Sequence, residues 1–291
     1  MIRLCAFADE AGASLAEQIA ALKEHNISLI EIRSIDKKNV SKFTDEEATE
    51  YARILRENGI SVWSVGSPLG KVDLAEANAH MNTVRRVCEI AKIFGAERVR
   101  MFSFYYAEGQ GEAVIAALRR MAEIAEEFGL IFCHENEKGI YGDITERVEE
   151  IVAANIKGMR FVFDPANYIQ CGVSIPDAIE RLFACTDYFH IKDVVASTGE
   201  LVPAGMGDGF IDGIVQKITD SGKDYVMTLE PHLKVFSGYH EIDGEEMKHR
   251  FHFTSATESF AAAANALKKI LTACGYREID INSNEKGWTK A

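Results

Sequence analysis

Residues 97–135 read ERVRMFSFYYAEGQGEAVIAALRRMAEIAEEFGLIFCHE, and they hold one complete period of the chain. The opening run is short and rich in Val, Phe and Tyr, as a buried strand would be. Val114, Ala117, Leu118, Met121, Ile124, Ala125 and Phe128 then recur at three- and four-residue spacing, which puts them on one helical face. Gly129 stands where that helix should stop, and the next apolar run ends in His134 and Glu135. The same alternation extends in both directions. Candidate strands begin near Ile2, Ser28, Ile60, Glu97, Leu130, Met159, Tyr188 and Tyr225, with a mean spacing of roughly 32 residues, the size of a strand–helix repeat. Ser14 with Glu17, Thr44 with Glu47, Asp143 with Glu146 and Ser255 with Glu258 have capping-box spacing at helix starts. Eight consecutive units of this kind predict a single (β/α)8 TIM barrel. An open doubly wound sheet is the rival, but it should carry a Gly-rich dinucleotide fingerprint after its first strand, and AFADEAGAS is not one.

The chain has 291 residues, 47% hydrophobic and 26% charged, the mix of an ordinary globular protein. Lys and Arg number 32 against 45 Asp and Glu, a net charge of −13. Such a surface repels phosphate backbones and anionic lipid, so neither nucleic acid nor membrane is an expected partner. The six cysteines form no CxxC pair and read as buried free thiols. MIRLCAFADE lacks a signal pattern, and no apolar stretch reaches the ~20 residues of a membrane helix. A cytoplasmic location is the resulting expectation. The barrel is expected over residues 1–276, with a polar, partly ordered tail over 277–291. Residues 231–254 form a long connection after the eighth strand, placed to act as a lid.

Barrel chemistry sits where strands end. The last four strands end in IFCHE (131–135), FVFD (161–164), YFH (188–190) and VMTLE (226–230). Each thus delivers one ligand-type side chain at one height: Glu135, Asp164, His190 and Glu230. Strand alternation lets all four point into the mouth. Two Glu, one Asp and one His form a hard, oxygen-rich set suited to Mn²⁺, Mg²⁺ or Co²⁺, with Zn²⁺ also accommodated.

The stretches EIRSIDKKNV, SVGSPLGKV, VRMFSFYY, CHENEKGIYGD, FDPANYIQCG, YFHIKDV, PAGMGDGFID and TLEPHL together resemble the xylose-isomerase-like sugar phosphate isomerase/epimerase superfamily, along almost the whole chain. Its relatives include ketose 3-epimerases, inosose and hydroxypyruvate isomerases, and endonuclease IV. The resemblance implies that Glu135, Asp164, His190 and Glu230 bind one divalent metal, and that Glu135 and Glu230 double as acid/base groups. It implies proton abstraction next to a carbonyl through a metal-stabilised enediolate of a sugar, keto-sugar or polyol-derived substrate. Return of the proton to the other carbon isomerises; return to the opposite face epimerises. A metal-dependent lyase or dehydratase acting on a keto-sugar, sugar acid or glycoside is the alternative on the same scaffold. Endonuclease relatives use more histidine ligands and a basic groove, neither visible here. A homo-oligomer is a further expectation. Two positions depart from the family pattern. Asn167 stands where many members have His, and Glu137 stands in a Glu-Asn-Glu where many have Glu-Asn-His. Asn167 can still bond a sugar hydroxyl, and Glu137 is the fallback ligand for Glu135.

Arg33, Lys71, Arg100 and Lys192 fall near strand ends, and in an acidic protein their convergence suggests an anionic substrate or intermediate. Local pairing of Arg33 with Glu31, and of Lys192 with Asp193, is the plainer reading. Arg33, Lys71, Asn167, Lys192 and His232 are the candidate substrate contacts. GSPLGK (66–71) fails the phosphate-loop pattern at Val72 and reads as a turn shaping the mouth. Gly205, Gly207 and Gly209 read as close backbone approach. His134 should point away from the lumen. Phe7, Trp63, Phe102 and Phe104 read mainly as packing. His240, His249 and His252 lack metal-like spacing.

Overall fold

Eight strands alternate with helices in the computed structural model, which describes residues 1–105, 107, 109–235, 248–282 and 285–291. The strands are β1 (Ile2–Ala6), β2 (Leu29–Ile32), β3 (Ser61–Gly66), β4 (Arg98–Met101), β5 (Ile131–Glu135), β6 (Met159–Phe163), β7 (Thr186–Ile191) and β8 (Tyr225–Leu229). Each pairs in parallel with the next. Pairing of Ile2 with Tyr225 through Ala6 with Leu229 returns β8 to β1 and closes the barrel. The expected (β/α)8 architecture is therefore present.

The surrounding helices are α1 (Leu15–Glu24), α2 (Asp45–Glu57), α3 (Ala77–Phe94), α4 (Gly111–Glu127), α5 (Thr145–Ala153), α6 (Pro165–Gln170), α7 (Ile175–Leu182), α8 (Ile211–Ser221) and α9 (Ala256–Ala273). Ser14 and Thr44 form reciprocal capping boxes with Glu17 and Glu47. Asp143 does not cap α5; Ile144 holds that position, and Asp143 pairs with Arg147 at 2.8 Å. The helices bury their apolar stripes on the outside of the strands. Cys5, Leu29, Cys133, Val162, Tyr188 and Val226 fill the lumen, with Trp63 and Ile131 packed beside them. This plug leaves the strand C-terminal end as a floor for polar side chains.

Within 277–291, expected as a partly ordered tail, the described residues instead form most of an antiparallel pair of strands, β9 (Tyr276–Asn282) and β10 (Glu285–Lys290). β10 meets β1 where Trp288 pairs with Ile2, and the Trp288 side chain is buried there. The polar composition reflects a ribbon with one face in solvent, which the tail reading missed. Of the cysteines, all free, Cys5, Cys88 and Cys133 are buried, whereas Cys171, Cys185 and Cys274 are only half-buried. Among the described residues no helix is long and apolar enough to cross a membrane. The long connection after β8 is present, with residues 236–247, His240 included, outside the described residues. Its return is tied down by Leu201 donating its N–H to the Lys248 carbonyl at 2.8 Å.

Candidate metal centre

Glu135 closes β5, Asp164 follows β6, His190 lies near the end of β7 and Glu230 follows β8. All four are buried, and one ligand atom from each lies within 4.8 Å of the others. The strand ends brought together are thus those read from the sequence. His190 Nδ1 is 2.8 Å from Glu135 Oε1 and 2.9 Å from Glu230 Oε2. Asp164 Oδ2 and Glu230 Oε2 are buried without a hydrogen bond of good geometry. Three carboxylates crowded on one imidazole in low dielectric repel each other unless positive charge sits among them. Lys192 and His190 balance part of this charge, 3.0 Å from Asp164 Oδ2 and 2.9 Å from Glu230 Oε2, and the hard donor set with its two poorly bonded oxygens fits a divalent cation.

Neighbouring residues fix three of the candidate ligands. Asn136 bridges two strand ends: its Nδ2 donates to the Asp164 carbonyl at 2.8 Å, and its Oδ1 accepts from the Asp164 N–H at 2.9 Å. Asp164 Oδ1 caps α6 by accepting from the Asn167 N–H at 2.9 Å. Arg100 Nε lies 3.1 Å from Glu135 Oε2. Arg33 Nη1 donates to Glu230 Oε1 at 3.0 Å.

Burial pushes the Asp164 carboxyl up, to about 7, despite Lys192 beside it, and Glu135 and Glu230 add to the effect. Burial would also raise Glu230, but Lys192 and His190 hold it well below the usual carboxylate range. His190 is driven down by burial yet ends well above an ordinary histidine because Glu135, Glu31 and Glu230 surround it. Glu10 is raised to about 8, mainly by burial.

The candidate substrate contacts converge on the same floor, but their pairing differs from the simple reading. Arg33 does not pair with Glu31. It binds both oxygens of Asp9 at 3.0 and 2.9 Å and also reaches Glu10 and Glu230. Lys192 does not pair with Asp193; its Nζ is 3.0 Å from Asp164 Oδ2. Lys71 pairs with Glu137 at 2.9 Å, which takes the fallback ligand out of the cluster. Asn167 donates to the Asn136 carbonyl at 2.9 Å, so its amide braces the floor. His232 adopts φ +47, which turns its ring back to within 3.5 Å of Glu230 Oε1. Each of the four cations thus faces a carboxylate, and their convergence is accounted for without an anionic substrate.

Phe7 and Phe102 are more than packing: Arg33 sits over the Phe7 ring at 4.5 Å, and Lys71 and Arg100 each lie 4.5 Å from the Phe102 ring. A cavity of ≈ 200 Å³ opens beside them, lined by Arg33, Lys71, Arg100 and Phe102 among others. A larger one, ≈ 740 Å³, lies at the opposite end of the barrel around Arg3, Trp63 and Arg98, away from the cluster. Gly70, at φ +85, lies so close to β4 that a Cβ would be 2.1 Å from the Phe102 carbonyl oxygen, which confirms GSPLGK as a turn at the mouth. His134 does point away from the lumen, against Phe161. Sequence reasoning missed Asp9, Glu10 and Glu31. Two acids directly after the first strand, and a Glu alternating with Leu29 and Arg33, were the available signals.

A family profile described as "Xylose isomerase-like TIM barrel" matches residues 19–274. The chain belongs to the xylose isomerase-like TIM barrel family. Within it, this barrel resembles the probable 3-DHS dehydratase AsbF involved in petrobactin synthesis from Bacillus anthracis (14% identity, 92% of this chain and 99% of that one, TM-score 0.70). It also resembles the IOLI protein with a bound zinc atom (16% identity, 93% and 98%, TM-score 0.71). A third similar structure is D-psicose 3-epimerase with D-tagatose from Clostridium cellulolyticum H10 (14% identity, 94% and 99%, TM-score 0.71). At these identities the likeness concerns the fold of this xylose isomerase-like barrel. No curated protein matches the chain in sequence.

Proposed function

We propose that this chain is a divalent-metal-dependent isomerase or epimerase of a sugar, keto-sugar or related polyol-derived substrate. The observation that carries the reading is the approach of two glutamates, Glu135 and Glu230, from different strands to one imidazole nitrogen, at 2.8 and 2.9 Å, with Asp164 in the same cluster. Membership of a family whose similar structures include a ketose epimerase supports it.

Glu135, Asp164, His190 and Glu230 would hold the cation, which when bound would polarise a substrate carbonyl and acidify the neighbouring C–H. Glu230 is kept ionised beside Lys192 and His190, the state a general base needs. Arg33 and Arg100 orient the two glutamates, so that one removes the proton and the other returns it. Phe102 lines the cavity beside the cluster and would limit water at the reacting carbon. The reading takes a small carbohydrate as partner, involves no nucleic acid or membrane, and carries a cytoplasmic location and a homo-oligomer as further proposals.

The test is metal analysis of the purified protein, then a ketose and keto-polyol panel in D₂O. Deuterium is expected at a carbon next to the carbonyl, in a product of unchanged mass apart from the label. Glu230→Gln should lower exchange by roughly 10²- to 10⁴-fold. Full exchange in that variant would remove Glu230 from its role, and a product lacking an expelled group would replace the isomerase reading with a lyase.

A further inference from the structure

Beneath the candidate metal centre a third carboxylate touches His190 from the other side. Glu31 lies on β2 and points into the lumen, 1% exposed. Its Oε2 is 3.2 Å from His190 Nε2, and its Oε1 accepts the Tyr188 hydroxyl at 2.8 Å. The Tyr188 oxygen is in turn 3.3 Å from Ser64 Oγ. Among the described residues the imidazole is the sole ion-pair partner of Glu31. The surrounding layer is otherwise apolar or weakly polar: Cys5, Leu29, Cys133, Val162 and Val226. A leucine would fill such a place without the cost of burying a carboxylate. Placement of an acid there calls for a compensating role.

The imidazole supplies that role. A neutral histidine ligates through one nitrogen, and the partner of the other nitrogen decides which one. Here Nδ1 faces Glu135 and Glu230, while Nε2 faces Glu31. The Phe7 ring meets His190 edge-on at 5.1 Å, which limits rotation of the imidazole. We infer that Glu31 is a positioning residue: by accepting the Nε2–H of His190 it holds the imidazole in the tautomer whose Nδ1 lone pair points into the metal centre. The Tyr188 hydroxyl fixes the carboxylate for that task. The inference rests on the metal-centre reading and is independent of which reaction follows.

The experiment measures the Mn²⁺ dissociation constant of the full chain by competition with a chromophoric chelator, together with the His190 ring N–H resonance of the chain loaded with diamagnetic Zn²⁺. Wild type should bind Mn²⁺, and its Zn²⁺ form should show His190 as the Nε2–H tautomer with a downfield, slowly exchanging proton. Glu31→Gln should weaken Mn²⁺ binding 10- to 100-fold and move the Nε2–H resonance upfield as its charged acceptor is lost. Tyr188→Phe should move both readouts the same way by less, and it carries the test if Glu31→Gln does not fold. Wild-type Mn²⁺ affinity in Glu31→Gln, or weakened binding with an unchanged Nε2–H resonance, overturns the positioning role. A wild-type chain that binds no Mn²⁺ overturns the metal centre itself, a distinguishable failure.

Discussion

Arg33 shows how a single side chain organises one wall of the site. Its guanidinium fork spends Nε and Nη2 on Asp9, Nη2 again on Glu10, and Nη1 on Glu230, all buried. A planar, five-donor group can do this; a lysine ammonium cannot reach three carboxylates with the same geometry. Arg33→Met should therefore strand three buried acids. The expected cost is about 3–5 kcal/mol, a fall of roughly 10 °C in the melting midpoint read by calorimetry. A midpoint unchanged from wild type would contradict the burial and pairing described. The local reading of Arg33 with Glu31 failed for a physical reason: alternate residues of a strand share a face, but their partners come from other strands. That Arg33 belongs near the mouth was legible; that it answers to Asp9 and Glu230 was not.

At the scale of elements, the loop after β7 is built around a carboxylate. Asp193 accepts backbone N–H groups from Val194, Gly205, Gly207 and Gly209 at 2.7–3.1 Å. This explains the glycine spacing and the close backbone approach read from it. A Cβ at position 207 would be 2.4 Å from Asp193 Oδ1 and 2.6 Å from the Val194 carbonyl oxygen. Gly207→Ala should therefore displace the loop and cost about 1–3 kcal/mol. Hydrogen exchange at residues 205–209 should rise, and unaltered protection there would refute the account. Asp193 could not be assigned from sequence, because its neighbour Lys192 offered a nearer partner than the glycines a dozen residues on. The terminal strand pair was missed for a related reason. Its pairing partner, β1, is at the other end of the chain.

For the molecule as a whole, the proposed metal centre would couple metal uptake to pH. Asp164 is raised from its ordinary 3.8 to about 7, and His190 stands well above 6.5. A cation can enter only as those protons leave, so affinity should rise from pH 6 to pH 8. In the metal-free chain both shifts have the same sign. Both groups bind protons more tightly in the folded state, so their contribution is full below the unfolded-state values and is lost as pH rises. For Asp164 that loss runs from about 4 to about 7. Melting midpoints measured with EDTA and with Mn²⁺ should diverge as pH increases through this range. A constant gap would show that the cluster does not exchange protons for metal.

The closed eightfold barrel and the four residues at its last strand ends were written in the sequence. Strand alternation and helical periodicity are short-range properties of the backbone, and repetition then sets the architecture. Glu135, Asp164, His190 and Glu230 could be named because each ends its own apolar run. What surrounds them was decided only when strands from opposite ends of the chain met. Glu31 with His190 is a pairing across the barrel, and Asp9 with Arg33 and Lys192 with Asp164 join the ends of neighbouring strands. A sequence carries the charge of each partner, but the low-dielectric contact that selects among them exists only in the closed fold.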